Sequence, residues 1–365
     1  MINGENYFMI TNYQKILKSL DFIKPIEYAR NRNFINGSIS RLSPYISRGV
    51  LSTKQVLDHL LNKGFDPHKI EKFIQELAWR DYWQLIWQEK NINEDLKYQQ
   101  TDVLQKGISK NIVEAQTGID ALDAAIHELY HTGYIHNHLR MYLAALATNH
   151  AKSHWRIPAE WMYYHLLDGD WASNALSWQW VCGANSNKKY ITNQENINRY
   201  TYSDQRDTFL DTDYENVMQL EQPIHLSIMS DEIRTCALPE SDKFTIDDGK
   251  IVCVYNYYNL DPAWRKDLDA HRILLIEPSV FKKYPISQKS IKFMIDLANN
   301  IPCIKLFVGE FEDLPIGHSV VYFKEHPLNA NYNGIEDSRD WLSSVKGYYS
   351  SFFVFWKKVK KELKF

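Results

Sequence analysis

The spacing of apolar residues changes near residue 221, and this change divides the chain into two kinds of sequence. Before that point, apolar side chains recur every three or four residues with few β-branched runs, which is typical of helices that bury one face. The predicted helices are 12–30, 52–62, 67–90, 119–131, 134–152, 158–167 and 171–181. After that point, short β-branched runs alternate with one helical segment, and this alternation predicts a parallel sheet. The predicted strands are 251–255, 272–276, 304–308 and 320–323, and the helix between them is 287–297.

These patterns predict a mainly α chain with two domains. We expect an all-helical domain over 1–215, a polar linker over 216–248, and a smaller α/β domain with a short parallel sheet over 249–365. The last segment, 341–365, is predicted as an amphipathic helix. Its basic end is interpreted as a solvated helix end in preference to an arm that binds nucleic acid.

Composition and charge exclude several classes of protein. No stretch approaches the ~20 apolar residues of a membrane helix, and MINGENYFMI lacks the basic-then-apolar order of a signal peptide. The four cysteines are far apart, so we expect free thiols in a reducing cytoplasm and no metal site. The net charge of −3 gives no global sign of nucleic-acid binding, so any basic surface must be local. The 11 Trp and 23 Tyr predict a large aromatic core, or else an aromatic ligand site or an electron-transfer chain.

Two segments of the helical half combine polar side chains in ways that suggest a ligand site. On a helix, Asn137, Arg140 and Met141 share one face, which can be a ligand face or a polar face with an incidental methionine. Asp168 and Asp170 flank a glycine before the next helix, where they can cap that helix or lie beside a ribose and pair with Arg140.

Two earlier segments carry further candidates. The run 38–44 (SISRLSP) places hydroxyls and an arginine before a helix, which suits either a cap or a phosphate. In 76–80 (ELAWR), Glu76, Trp79 and Arg80 lie on one helical face. Trp83 and Trp87 continue that face at four-residue steps and are interpreted as core residues.

Together these segments resemble the flavin domain of the photolyase and cryptochrome family, in the family's order and close to its spacing. The matching stretches are SRLSPYISRGVLS (40–52), ELAWRDYW (76–83), DAAIHELYHTGYIHNHLRM (123–141), HWR (154–156) and LLDGDWASNALSWQW (166–180). The resemblance covers about 28–200 and implies an all-helical domain that binds FAD.

The resemblance also implies individual FAD contacts. The positions that match contacts to the phosphates and adenine are Tyr28, Ser40, Arg41, Leu42 and Ser43, with Arg80 as a further contact. The positions that match the isoalloxazine and ribose surroundings are Asn137, Arg140, Asp168, Asp170 and Asn174. In the family, the equivalents of Arg140 and Asp168 form an ion pair over the flavin. The equivalent of Asn174 lies beside flavin N5, where a neutral amide suits a reduced, anionic flavin.

The lesion pocket of photolyases for cyclobutane pyrimidine dimers is matched as well. The matching positions are Glu76, Trp79, Met141 and Trp180, with Asn174 counted among the catalytic residues because it faces the flavin. The implied partner is damaged DNA, whose dimer is flipped out of the duplex, and photolyases are themselves standard examples of such base flipping. The implied reaction is the splitting of the dimer by an electron from light-excited, reduced FAD. A monomer is expected.

A tryptophan relay that photoreduces oxidised flavin is implied too. Trp178 and Trp155 match its two members nearest the flavin. The third, outer tryptophan has no match, because 91–116 contains no Trp, and Tyr98 is the available substitute.

The sequence departs from the pattern of the family at several points, and these differences leave a function other than DNA repair open. Asn137 stands where enzymes for (6-4) lesions usually carry histidine, and His138 replaces a family arginine. The family's N-terminal antenna domain is expected to be missing, and 249–365 is either a permuted antenna-like domain or an unrelated module. No glycine-rich phosphate loop is present there, so no antenna cofactor is predicted. The alternative to repair is a cryptochrome-like blue-light receptor that signals through flavin redox change.

Overall fold

The computed structural model describes residues 9–364 of the chain. Its α-helices are α1 (Tyr13–Ser19), α2 (Pro25–Asn31), α3 (Ser43–Ser47), α4 (Thr53–Asn62), α5 (Glu71–Glu89), α6 (Lys110–Val113), α7 (Asp120–Thr132), α8 (Asn137–Ala145), α9 (Arg156–His165), α10 (Trp171–Cys182), α11 (Gln194–Thr201), α12 (Tyr214–Val217), α13 (Pro278–Lys283), α14 (Gln288–Ala298) and α15 (Phe352–Leu363). Its strands are β1 (Ile251–Tyr255), β2 (Ala270–Ile276), β3 (Lys305–Val308), β4 (Val321–Lys324) and β5 (Ile335–Asp337).

Most predicted helices are present, but two of the longer ones are interrupted. The predicted helix 12–30 is α1, a 3₁₀ turn Leu20–Phe22 and α2. The break falls before Pro25, which has no backbone N–H to donate and is favoured in the first turn of a new helix. The predicted helix 134–152 is α8 followed by a π-helical turn, Leu146–His150, in which the Thr148 hydroxyl donates to Ala144 O at 2.7 Å.

The predicted short parallel sheet is confirmed, and its order is β3-β2-β1-β4-β5 with every pair parallel. Along the chain, β2 and β3 are added on one side of β1, and β4 and β5 are then added on its other side. Its core includes Val252, Val254, Ile273 and Phe323. The fifth strand was not predicted, because β5 is three residues long and mostly exposed, so it lacks the buried apolar run that marks the others.

The chain forms two compact units that do not follow the order of the sequence. One, the helical unit, consists of 24–39 and 83–234. The other, the mixed unit, consists of 40–82 and 235–364 together with 9–23. The boundary falls within α5, between Tyr82 and Trp83. The predicted domain boundaries, at 215 and 248 on either side of the linker, stay a prediction.

Within the mixed unit, early residues pack against the C-terminal sheet module. Arg48 is fully buried, and its guanidinium lies 3.3 Å from the centroid of the Tyr257 ring. Its carbonyl accepts from the N–H of Leu260 at 2.9 Å. Gly49 has φ +65, and an added Cβ would lie 2.4 Å from Tyr258 O, so this approach of two backbones requires glycine. Residues that follow β1 are therefore covered by the 40–52 segment.

The last helix is shorter than predicted. It begins at Phe352, after Ser351, whose hydroxyl accepts from the N–H of Val354, so the prediction of helix from 341 was wrong. Gly347 adopts φ +84, which interrupts a helix, and the stretch before α15 is rich in serine. Among the described residues, no helix is both long and apolar enough to cross a bilayer. Within the same residues, no group of three or more His, Cys, Asp or Glu side chains could hold a metal ion.

Candidate functional site

The residues predicted to contact FAD are divided between the two units. Those in the helical unit are Tyr28, Asn137, Arg140, Asp168, Asp170 and Asn174. Those in the mixed unit are Ser40, Arg41, Leu42, Ser43 and Arg80.

Arg140 and Asp168 form the central ion pair of the helical unit. Arg140 Nη2 lies 2.9 Å from Asp168 Oδ2, and Arg140 Nε donates to Ile135 O at 2.9 Å. The Asp168 side chain is 2% exposed and that of Arg140 is 21% exposed. The guanidinium is therefore fixed on one side and partly open on the other, as a group that faces a ligand would be.

Asp170 caps the helix that carries the other predicted contacts. It is the N-cap of α10, and its carboxylate accepts from the N–H of Ser173 at 3.3 Å. It also accepts from Gln84 Nε2 at 2.7 Å. The capping interpretation is therefore confirmed, whereas a contact between Asp170 and a ribose stays a prediction.

The remaining predicted contacts of the helical unit differ in exposure. Asn174 is buried on α10, and its Nδ2 donates to Ala159 O at 2.8 Å. Asn137 is exposed at the first position of α8, and Tyr28 is half-buried on α2. His138, in contrast, is packed at 4.5 Å between ring centroids against Tyr142. Burial lowers the pKa of His138, so it does not replace the charge of the family's arginine.

In the mixed unit, the predicted phosphate segment leads into the short helix α3. Arg41 is exposed and has φ +54, a left-handed conformation that side chains other than glycine rarely adopt. Ser40 and Ser43 are half-buried, and Leu42 is buried as the N-cap of α3. Arg80 donates from Nη2 to the hydroxyl of Ser47, which is buried at the end of α3.

Trp79, one of the predicted lesion-pocket residues, has one ring face covered by the last helix. The ring centroids of Trp79 and Phe352 are 3.7 Å apart, with an interplanar angle of 10°. Phe352 is 2% exposed and is also parallel to Trp356, at 6.2 Å between centroids. Trp79 itself is half-buried, so at most its opposite face is available to a base.

Polar contacts fix the same two helices to each other. Glu71 accepts from Lys360 Nζ at 2.9 Å and from Trp356 Nε1 at 3.3 Å, which joins the start of α5 to α15. Glu76, one turn before Trp79, lies 3.2 Å from Lys72 Nζ and is half-exposed. The predicted pair Glu76 and Trp79 thus lies on a helical face that α15 supports.

The other predicted lesion residues lie in the helical unit. Trp180 is 38% exposed on α10, and its ring centroid is 5.7 Å from that of Tyr190. Met141 is half-buried on α8. Both are accessible enough to contact a ligand.

The two predicted relay tryptophans are both buried in the helical unit. Trp178 lies on α10, and Trp155 precedes α9. The indole N–H of Trp155 donates to Asp95 Oδ1 at 2.7 Å. Tyr98, the suggested substitute for an outer tryptophan, is 49% exposed.

Sequence reasoning missed four residues that bear on these sites. Gln84 follows Glu76 and Arg80 at four-residue steps, so helical spacing was a usable signal. Asp81 is buried and accepts from the N–H of Leu342 at 2.7 Å, and burial raises its pKa to about 6. No local signal identified Asp81, Asp95 or Phe352, because their partners are distant in the sequence.

Comparisons with known proteins identify the helical segment. Residues 73–217 match the FAD binding domain of DNA photolyase. This segment is therefore similar to the FAD-binding domain of the photolyase and cryptochrome family. FAD is accordingly the cofactor of this domain.

Several photolyases are similar to this chain over part of its length. The deoxyribodipyrimidine photo-lyase of Alkalihalophilus pseudofirmus is 33% identical over 162 residues, which are 42% of this chain and 33% of that protein. An enzyme of the same name from Thermus thermophilus is 33% identical over 166 residues, 43% of this chain and 38% of that protein. The chain thus matches about a third of the length of these curated relatives.

Two solved structures of the family overlap with this chain in part. A bacterial class III photolyase from Agrobacterium tumefaciens aligns with TM-score 0.42 and 26% identity, over 52% of this chain and 44% of that one. A Synechocystis cryptochrome aligns with TM-score 0.47 and 21% identity, over 55% of this chain and 46% of that one.

Proposed function

We propose that this protein is a light-driven DNA repair flavoprotein that splits cyclobutane pyrimidine dimers. The observation that carries the proposal is the match of 73–217 to the FAD binding domain of DNA photolyase, within which Glu76 and Trp79 are half-exposed on one helical face. A light receptor that repairs no DNA has no need of such a pair.

The side chains at the predicted positions suit FAD chemically. In the helical unit, the partly open Arg140 guanidinium with Asp168 behind it, and the exposed amide of Asn137, can bond the polar edge of an isoalloxazine ring. In the mixed unit, the exposed Arg41 and the hydroxyls of Ser40 and Ser43 suit phosphate groups. Residues in rare backbone conformations cluster at ligand sites, and the positive φ of Arg41 agrees with that assignment.

Reduced FAD, when bound, supplies the electron that opens the dimer. The chain's own residues would bind and orient the lesion. The indole of Trp79 would stack on the flipped pyrimidines on the side away from Phe352, and Phe352 would keep the indole plane fixed. Glu76 would accept hydrogen bonds from the polar edge of the dimer, while Met141 and Trp180 would line the pocket.

We further propose that Trp178 and Trp155 reduce oxidised FAD under light. Both are buried and aromatic, and buried aromatic rings are poorly hydrated, which favours electron transfer between them over reaction with water. This route prepares the cofactor and takes no part in repair by protein that is already reduced.

The proposal is tested by illuminating the chemically reduced, FAD-loaded protein with an oligonucleotide that contains one cyclobutane dimer. We expect light-dependent recovery of the two pyrimidines, and none in the dark. Trp79→Ala with full FAD occupancy is the matched variant, and it should bind the lesion less tightly. A wild-type protein that is fully loaded with FAD and restores no pyrimidines would refute the repair function.

One observation favours a second candidate, a cryptochrome-like blue-light receptor. Because Phe352 covers one face of Trp79, α15 already contacts the residue that a lesion would contact. A receptor could use α15 to report flavin redox change. Limited proteolysis in the dark and under light tests this candidate, and identical cleavage of α15 in both states would refute it.

The α/β module, 249–365, has two candidate interpretations, a permuted antenna-like domain and an unrelated module. Its five-stranded parallel sheet is compatible with the first. Absorption bands beyond those of FAD in the purified protein would report an antenna pigment and would support the first interpretation.

A further inference from the structure

The segment that should carry the outer relay tryptophan supplies a carboxylate instead. Residues 91–116 contain no Trp, yet Asp95 from this segment contacts Trp155 directly. Trp155 is 0% exposed, and its indole Nε1–H donates to Asp95 Oδ1 at 2.7 Å. Oxidation of an indole acidifies its Nε1–H, and in Trp155 this proton is already hydrogen-bonded to a carboxylate.

Asp95 is held in place by several bonds. Its Oδ2 accepts from the N–H of Gln100 at 2.8 Å, and Gln100 Oε1 accepts in turn from the N–H of Trp155 at 2.9 Å. The fully buried Gln179 of α10 accepts from the N–H of Leu96 at 2.8 Å and donates to Glu94 O at 3.1 Å. Asp95 therefore sits on a short segment anchored to α10 on both sides.

A route from Asp95 to solvent is present as well. The Asp95 side chain is 19% exposed, and His154 Nε2 lies 3.4 Å from the same oxygen that accepts from Trp155. Both residues line an open surface pocket of about 460 Å³, whose other lining residues include Glu94 and Tyr98. A proton that reaches Asp95 can thus pass to water, whereas Trp155 itself is shielded from solvent.

We propose that Asp95 is the proton acceptor of Trp155 in photoreduction, which rests on the relay in the proposed function. Trp155 gives one electron to Trp178 after Trp178 has given one to photoexcited, oxidised FAD. Oxidation makes the indole N–H a far stronger acid. The N–H bond breaks, the proton forms an O–H bond with Asp95 Oδ1, and a neutral Trp155 radical remains. An external thiol later returns one hydrogen atom to that radical.

This step explains how a relay can work with two tryptophans. A neutral indole radical cannot take the electron back without regaining a proton, so charge recombination slows. An outer tryptophan achieves the same end by moving the positive charge to the surface. Asp95 instead moves the proton towards the surface, and the neutral radical of Trp155 stays buried.

The test compares Asp95→Asn with Glu94→Gln in the FAD-loaded protein by flash absorption spectroscopy. Asparagine keeps the size of Asp95 and an oxygen that accepts the indole N–H, but it cannot take the proton. Glu94 lines the same pocket and is exposed, so its variant removes the same charge without touching Trp155. Loss of a positioned base slows proton transfer by about 100-fold or more.

We expect a neutral tryptophan radical in the wild type and in Glu94→Gln. In Asp95→Asn we expect the radical cation to persist, with loss of the slowing in deuterated water and a lower yield of lasting photoreduction. In flavin-free, ¹⁵N-labelled protein, the indole N–H resonance of Trp155 should move upfield in Asp95→Asn alone. That signal reports the hydrogen bond without any photochemistry.

Two results would overturn the assignment. One is a radical spectrum and lifetime in Asp95→Asn equal to those of the wild type. The other is loss of the long-lived radical in Tyr98→Phe, which would make Tyr98 the outer donor. Repair by chemically reduced wild type is measured separately, so its failure would count against the repair function and leave the radical kinetics to decide the role of Asp95.

Discussion

The stack between Trp79 and Phe352 makes a quantitative prediction for a double-mutant cycle. The perturbations are Trp79→Ala, Phe352→Ala and the two together, with Phe352→Leu as a control that keeps an apolar side chain at the buried position. If the two rings support each other, the cost of the double variant is less than the sum of the single costs.

The magnitudes follow from burial and ring geometry. Phe352 is 2% exposed, so its truncation should cost about 3–5 kcal/mol of unfolding free energy through lost burial and a cavity. The two centroids are 3.7 Å apart, closer than the ~4.5–7 Å of the preferred offset arrangements. We therefore place the coupling energy of the pair near the lower end of the usual range, at about 0.5–1 kcal/mol.

The assay is urea unfolding followed by circular dichroism, paired with titration of a dimer-containing duplex. Trp79→Ala should weaken lesion binding by about 1–3 kcal/mol, the usual effect of losing one base stack. Phe352→Leu should retain most stability and lose part of the binding, because the indole is less well fixed. A coupling energy of zero would refute mutual support between the two rings, and full lesion binding in Trp79→Ala would show that Trp79 is a core residue.

Three further outcomes are expected from single variants. Asp168→Asn should lower both the free energy of unfolding and the binding free energy of FAD by about 2 kcal/mol. This is less than the ~3–5 kcal/mol typical of a fully buried ion pair, because Arg140 is 21% exposed. Thermal unfolding with and without FAD measures both quantities. Burial raises the pKa of Asp81 to about 6, so the folded state binds its proton more tightly than the unfolded state. The contribution of Asp81 to the free energy of unfolding is therefore present at low pH and is lost as the pH rises through about 6. Between pH 5 and pH 7, the free energy of unfolding of the wild type should fall by about 1 kcal/mol relative to that of Asp81→Asn. Equal pH profiles would contradict this. Trp178→Phe should abolish photoreduction of oxidised FAD but leave repair by reduced protein intact, and undiminished photoreduction would show another electron route.

Local patterns predicted most of the elements because their causes are local. The strands β1 and β2 were visible as apolar, β-branched runs, and Asp170 was recognisable as a cap from the residues around it. The ion pair of Arg140 and Asp168 was expected from the family resemblance, and the structure contains it at 2.9 Å.

The residues that escaped prediction owe their roles to distant partners. Phe352 looks like one apolar residue among many in FFVFW, and only the fold brings it onto Trp79. Asp95 lies in a polar stretch without periodicity, and only the fold places it at Trp155. The final helix was predicted too long because amphipathic spacing was extended across Gly347, whose left-handed conformation interrupts it.

Segments of the two units alternate along the chain, so the ribosome completes the helical unit before the mixed unit. All of the helical unit has been translated by residue 234, but 40–82 belongs with 235–364. At ~5–20 residues per second, the ribosome needs on the order of 10 s more before that partner is complete. During that interval, Asp81 lacks Leu342 and Trp79 lacks Phe352. Until then, the face of α5 that carries Trp79 lacks its packing partner. A truncation after residue 234 would leave that face without its partner permanently.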